Sequence, residues 1–270
     1  MRIALLAVVT GCSFSGPLAQ TGVDAAAGTT PDATAVPEPD APLTPTFAPC
    51  ATTDTTGLVA CYEFEDDFQA AGKVHDSSAN HLDAMAHDLV PANRNASKAA
   101  QVTPGTSIYA PQVPALDLAT GFTIALWVNP SALPSEGSVL GLVDHEEQYA
   151  MAIGKSSGSV TARCILTGLD FYEWVDGLTA NAWSMLACTW DGTNLCAYRW
   201  TSPTSHAANC FEPGQSPAAT GSHGLAIGSL SSGGAPLDRL AGDLDSLHVY
   251  DRALATAGLC AAIGQPAGCM

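Results

Sequence analysis

Between residues 169 and 177 the chain reads Leu169-Asp170-Phe171-Tyr172-Glu173-Trp174-Val175-Asp176-Gly177. Rings and carboxylates are interleaved there. Ring faces stack on the apolar face of a sugar, and carboxylates accept hydrogen bonds from its hydroxyls. Phe171, Tyr172, Trp174, Asp170 and Asp176 are therefore the candidate ligand-binding residues. The segment joins two strand-like runs and is expected to form a loop or a ragged edge. A structural role competes, in which one or two of the rings simply plug the core.

Catalytic motifs are missing. No Gly-x-Ser-x-Gly, His-Glu-x-x-His or Gly-rich phosphate loop occurs, and His145-Glu146-Glu147-Gln148-Tyr149 lacks the second histidine. The chain is thus expected not to be an enzyme. The remaining catalytic alternative is a glycan hydrolase with acids gathered from separate strands.

Charge narrows the partners. Lys and Arg number 9 against 26 Asp and Glu, a formal net charge of −17. Nucleic acid and anionic lipid require basic surfaces, so both are excluded as partners. A carbohydrate or a surface protein outside the cell is the expected partner. Of nine cysteines, Cys12 stands apart from the other eight, and no Cys-x-x-Cys is present. An even set of eight suits four disulfides and an oxidising compartment.

In chain order, residues 1–12 hold Arg2, an apolar run and then Val9-Thr10-Gly11-Cys12. The run is too short to span a bilayer. It resembles a bacterial lipoprotein signal in which Cys12 is lipidated, which implies export and a lipid anchor on the outer membrane or cell surface. Residues 13–48 contain six prolines, four acids and no Lys or Arg. They read as a disordered Pro/Ala/Thr-rich linker that could reach roughly 110 Å fully extended. Residues 49–270 form the remaining domain.

That domain is read as many short strands divided by turns. Phe122–Pro130 is the clearest, with Phe122, Ile124, Leu126 and Val128 on one face. Trp183–Arg199 reads as a hairpin around Asp191-Gly192-Thr193-Asn194, with Thr189 facing Cys196 and Cys188 facing Ala197. Helical pattern is confined to residues 252–263. The expected fold is all-β, a two-sheet antiparallel sandwich with a short C-terminal helix.

Two stretches carry a family resemblance. The hairpin, with Trp183, Ala187, Thr189, Asp191, Gly192, Leu195 and Tyr198, resembles the inner strands of laminin-G-like domains in the concanavalin A-like lectin and glucanase superfamily. Leu240-Ala241-Gly242-Asp243-Leu244-Asp245-Ser246-Leu247-His248-Val249-Tyr250-Asp251-Arg252-Ala253-Leu254 resembles the closing strand of the bacterial members, with Leu240 in place of their aromatic. Asp76–Asn80 and Phe122–Pro130 fit in the same order. The resemblance covers about residues 57–258 and implies a jelly roll whose first and last strands pair. It also implies non-catalytic recognition, with carbohydrate favoured and a structural or protein-adhesion module as the alternative. The Glu-x-Asp-x-x-Glu strand of the superfamily's glucanases is absent, since Phe68 stands where Glu63-Phe64-Glu65-Asp66-Asp67 would need its third acid.

The resemblance further implies one structural calcium ion between the early turn and the closing strand. Its candidate ligands are Asp76, Asn80 and Asp245, and Asp243 is added on chemistry alone. The competing role for Asp76 and Asn80 is to cap a turn. The cysteines fit the same picture. Cys196 would pair with Cys210 and Cys164 with Cys188. Cys50–Cys61 and Cys260–Cys269 would pair locally, or across the two neighbouring termini.

Overall fold

The computed structural model describes residues 50, 54–66, 68–94, 97–167, 171–202 and 205–262, and only the backbone of Asn93, Arg94, Phe171 and Ser202. Cys12, residues 13–48, Asp170, Cys269 and the side chain of Phe171 lie outside the described residues. The strands run in chain order as β1 (Leu58–Tyr62), β2 (Lys73–Val74), β3 (Ala84–His87), β4 (Val90–Arg94), β5 (Ser97–Val102) and β6 (Ser107–Ala110). Next come β7 (Phe122–Pro130), β8 (Val139–His145), β9 (Tyr149–Ser156), β10 (Ser159–Leu166), β11 (Phe171–Asp176) and β12 (Ser184–Trp190). The last are β13 (Leu195–Ser202), β14 (Ser205–Phe211), β15 (Leu225–Ile227), β16 (Leu230–Ser232), β17 (Ala235–Leu237) and β18 (Gly242–Tyr250). Helix α1 spans Phe68–Ala71, and α2, inside the expected 252–263 window, spans Thr256–Ala262.

These strands form the expected antiparallel jelly-roll sandwich. One sheet is ordered β14-β13-β12-β7-β18-β5-β4, with β1 also on β18, and the other β11-β10-β9-β8-β15-β6-β3-β2. The first and last strands pair as expected, Tyr62 opposite Leu247.

The centre of the first sheet is buried on both faces. Phe122, Ile124, Leu126 and Val128 of β7 enter the core between the sheets. Ala125 and Trp127, on the other face, join a second cluster with Trp200, Tyr250, Leu259 and Cys260 under α2. Each large side chain so buried contributes about 2–3 kcal/mol. Trp190 and Trp200 are fully buried, whereas Trp183 is only partly so.

The β12–β13 hairpin has the predicted register, Thr189 opposite Cys196 and Cys188 opposite Ala197. Its turn is held by Asp191, whose Oδ1 accepts from the backbone N–H groups of Thr193 (2.8 Å) and Asn194 (2.6 Å). Three disulfides join described residues. Cys50–Cys61 fastens the entry to β1, Cys196–Cys210 links β13 to β14, and Cys164–Cys188 crosses from sheet to sheet through the core. Cys260 is disulfide-bonded to a partner outside the described residues.

Of the loop or ragged edge expected at residues 169–177, the loop is corrected: residues 171–176 form a regular strand, β11, hydrogen-bonded to β10, and it does lie at the edge of the second sheet.

Two buried titratable groups give the fold opposed responses to acid. Burial pushes His248 down from 6.5 to about 4, and pushes Asp144 up from 3.8 to about 6. The unfolded chain protonates His248 first, so stability is lost as pH falls from 6.5 towards 4. Buried His145, also lowered by desolvation, acts in the same direction. Asp144 is protonated first in the folded state, so its contribution returns as pH falls through 6. Asp144→Asn removes the offset. Its urea midpoint should drop more steeply between pH 6.5 and 4.5 than that of the wild type. Parallel midpoint-against-pH curves would refute this.

Candidate functional site

The outer face of β9, β10 and β11 carries a groove of about 340 Å³. Strand β11 alternates so that Glu173 and Val175 point inward and are buried, while Tyr172, Trp174 and Asp176 point outward. Tyr172 is 45% exposed and Trp174 43%, far more than an interior ring. Their centroids lie 5.7 Å apart with a 47° angle between planes. The two rings therefore flank a surface site and do not plug the core.

Strand β10 supplies the floor. Thr161 stands opposite Asp176, Arg163 opposite Trp174, and Ile165 opposite Tyr172. The Arg163 guanidinium carbon lies 5.1 Å from the Tyr172 ring centroid, a cation–π contact. Arg163 Nε donates to Thr161 Oγ1 at 3.3 Å. Across β9, Gly154 makes room for this arrangement, since a Cβ there would fall 2.2 Å from the guanidinium Cζ.

The far wall is the β9–β10 turn with Ser156, Ser157 and Ser159. Ser157 and Gly158 both have positive φ, 53° and 85°, the geometry of a tight two-residue hairpin. The Glu136 carboxylate holds that turn by accepting from the backbone N–H groups of Ser157 and Gly158.

Asp176 is the only carboxylate among the described residues lining the groove. Its charge acts on Arg199, which burial presses below its usual pKa and Asp176 pushes back up. Beneath it, buried Glu173 accepts from Asn209 Nδ2 on β14 and ties the edge strand to the first sheet.

Of the expected ligand-binding residues, Tyr172, Trp174 and Asp176 share the groove, and Asp170 and the Phe171 side chain fall outside the described residues. Arg163, Thr161 and the three serines were not anticipated. Their signal in the sequence is Ser157-Gly158, a tight-turn pair between two alternating runs, which fixes the register of β10 against β9.

The expected calcium ligands are dispersed in role. Asp76 is fully buried, and both its oxygens are occupied. Oδ1 accepts from the N–H groups of Cys61 (2.7 Å) and Ser78 (2.9 Å). Oδ2 accepts from Ser78 Oγ (2.7 Å) and the N–H of Leu82 (2.7 Å). Four donors use the lone pairs a cation would need. Asn80 Nδ2 donates to the Val59 carbonyl at 2.8 Å.

Asp243 is half-buried on β18, accepts from Asn129 Nδ2 at 3.2 Å, and is raised in pKa by that burial. Asp245, fully buried on the same strand opposite Trp127, accepts from Ser246 Oγ at 3.2 Å. The three acids do not bring their oxygens together. Among the described residues, one group alone has three such ligand atoms within 4.8 Å, Cys50, Cys61 and His248, and its two sulfurs are bonded to each other. Asp76 and Asn80 thus both hold the turn through hydrogen bonds.

A second depression of about 420 Å³ lies at the end of the sandwich between Val59, Asn80, Asp117, Thr120 and Asp251. No aromatic ring is among its described lining residues. The groove on β11 is therefore the stronger site.

The sequence model of the family described as the concanavalin A-like lectin/glucanases superfamily, Laminin_G_3, matches residues 102–259. No curated protein sequence matches the chain. Among solved structures, domain 4 of the extracellular GH43 arabinanase AbnA from Geobacillus stearothermophilus, in complex with arabinotriose, is similar with a TM-score of 0.56. Identity is 16%, over 76% of this chain and 98% of that one. The binding domain of Paraclostridial Mosquitocidal Protein 1 follows at TM-score 0.53 and 15% identity, over 75% of this chain and 51% of that one. The binding domain of botulinum neurotoxin DC in complex with SialylT gives 0.51 and 8%, over 76% and 50%. The match thus spans about half of each toxin binding domain, and at these identities the likeness is one of fold.

The Asp76 geometry is directly testable. Asp76→Ala leaves buried donors unpaired and should cost about 3 kcal/mol or more in urea denaturation, with calcium as with chelator. A loss seen only in calcium would make Asp76 a metal ligand.

Proposed function

The chain belongs to the concanavalin A-like lectin/glucanase superfamily, and from that membership and the β11 groove we propose that it is a non-catalytic carbohydrate-binding protein. The observation that carries the reading is the exposed Tyr172–Trp174 pair set over a floor of hydroxyls and one guanidinium. A sugar ring stacks on such faces through its C–H side, and its hydroxyls meet the serine and threonine side chains and Asp176. Support comes from the arabinotriose complex of the similar arabinanase domain and from the SialylT complex of the similar toxin domain. Hydrolysis draws no support from the groove. Cleaving a glycosidic bond takes two carboxyl groups facing the bond, and the described lining offers Asp176 alone. The cell-surface setting belongs to the same proposal. Cys12 would carry the lipid, and residues 13–48 would hold the domain away from the membrane.

The test is binding of the full chain to a broad glycan array, with calcium and with chelator. At least one glycan should bind. Trp174→Ala should weaken that binding about tenfold or more, the loss of about 1.5 kcal/mol of ring contact. No binding to any glycan, or undiminished binding by Trp174→Ala, would overturn the reading and turn attention to surface proteins as partners.

A further inference from the structure

We infer that the groove takes an anionic sugar, one bearing a carboxylate or sulfate, and that Arg163 is the residue selecting it. The inference rests on the carbohydrate reading above and narrows its ligand class. Its starting point is that Arg163 is the one cation among the described residues lining the groove. No ion pair joins it to a described carboxylate. The one acid lining the groove, Asp176, lies opposite Thr161 and not Arg163, and its charge acts on Arg199. Directly across from Arg163 stands Trp174.

The guanidinium is also held in place before any ligand arrives. Tyr172 lies against its face, Thr161 Oγ1 takes its Nε–H, and Gly154 leaves the space beneath it. Those contacts leave its two terminal nitrogens for a ligand. A rigid fork of that kind matches a carboxylate with two parallel hydrogen bonds, and a sulfate through two of its oxygens.

Desolvation decides between anionic and neutral sugars. A ring lying on Tyr172 and Trp174 strips water from the guanidinium beside Tyr172. Under a neutral sugar, that cation keeps only hydroxyl dipoles as compensation, and the lost hydration is poorly repaid. Under a carboxylate or sulfate, it gains a full opposite charge at hydrogen-bond distance in a shielded site. Ser156 and Ser159 on the opposite wall then fix the ring hydroxyls.

The experiment compares binding of the full chain to polygalacturonate, to a sulfated galactan and to a neutral galactan. At least one of the two anionic polymers should bind about tenfold or more tightly than the neutral one. Which of them does so identifies carboxylate or sulfate as the recognised group. Arg163→Gln should erase that preference. Gly154→Val, which keeps every charge but displaces the guanidinium, should erase it as well. Equal binding of neutral and anionic polymers, or a preference retained in both variants, overturns the inference and leaves the carbohydrate reading intact. Absence of binding to all three and to the glycan array overturns both.

Discussion

The groove depends on the bond between Cys164 and Cys188. Cys164 sits on β10 between the outward residues Arg163 and Ile165, and its sulfur crosses the core to β12 at the centre of the first sheet. Side chains alternate strictly along a strand, so fixing Cys164 inward fixes Arg163 outward. A slip of one residue in β10 would bury the guanidinium and expose Cys164 and Leu166. The covalent tie excludes that slip, and the strand beside β10 inherits its register from it. Among the described residues β11 pairs with no strand on its other side, and edge strands are ordinarily the least constrained part of a sheet. Here the edge is anchored from below as well, through the buried contact of Glu173 with Asn209 on the first sheet.

Most of the sandwich was legible from local pattern. The β12–β13 hairpin could be read to the residue because its turn chemistry and its apolar alternation agree. Asp191 closes the turn through its own carboxylate, and Leu186, Cys188 and Trp190 of β12 all enter the core. Strand β7 was legible for the same reason, as a long run of branched and aromatic residues stopped by Pro130. The very short strands β2, β16 and β17 were not, since two or three residues carry no period and form only against a neighbour.

β11 was misread for a specific reason. Its outward positions are Tyr172, Trp174 and Asp176, and its inward positions include Glu173. Rings on the wet side and an acid on the dry side cancel the hydrophobic alternation that marks a strand. The feature that hid the element is therefore the one that makes it a candidate site. The rings themselves were visible because three aromatics beside acids are odd wherever they fall. Arg163 was not, because a lone arginine in a strand reads as ordinary solvent-facing charge. Its standing comes from Trp174 across one strand pair and Gly154 across another, and lateral relations between strands are absent from a local window. The turn at Asp76 shows the reverse case. Its residue types suit a cation and a turn equally, and the four donors around the carboxylate come from residues that no local window brings together.

For an acidic protein to favour an acidic sugar, distance must decide which charges the ligand meets. At physiological ionic strength, charges in solvent are screened over about 8 Å, so the net charge of −17 is felt mainly where its carboxylates are close. The charged residues lining the groove are Arg163 and Asp176, Asp176 acts on Arg199, and Glu136 holds the turn at the far wall. Local potential there is set by that small group and not by the whole surface. The remaining acids still act on a long polyanion lying beyond the groove. They repel it along most of its length and leave attraction at one point. Such an arrangement lowers non-specific adhesion while sparing the specific contact, because only a sugar seated on the rings comes within reach of the guanidinium. Selectivity would then come from placing one cation beside the rings of the groove, and the backbone gap at Gly154 is what leaves room for its guanidinium there.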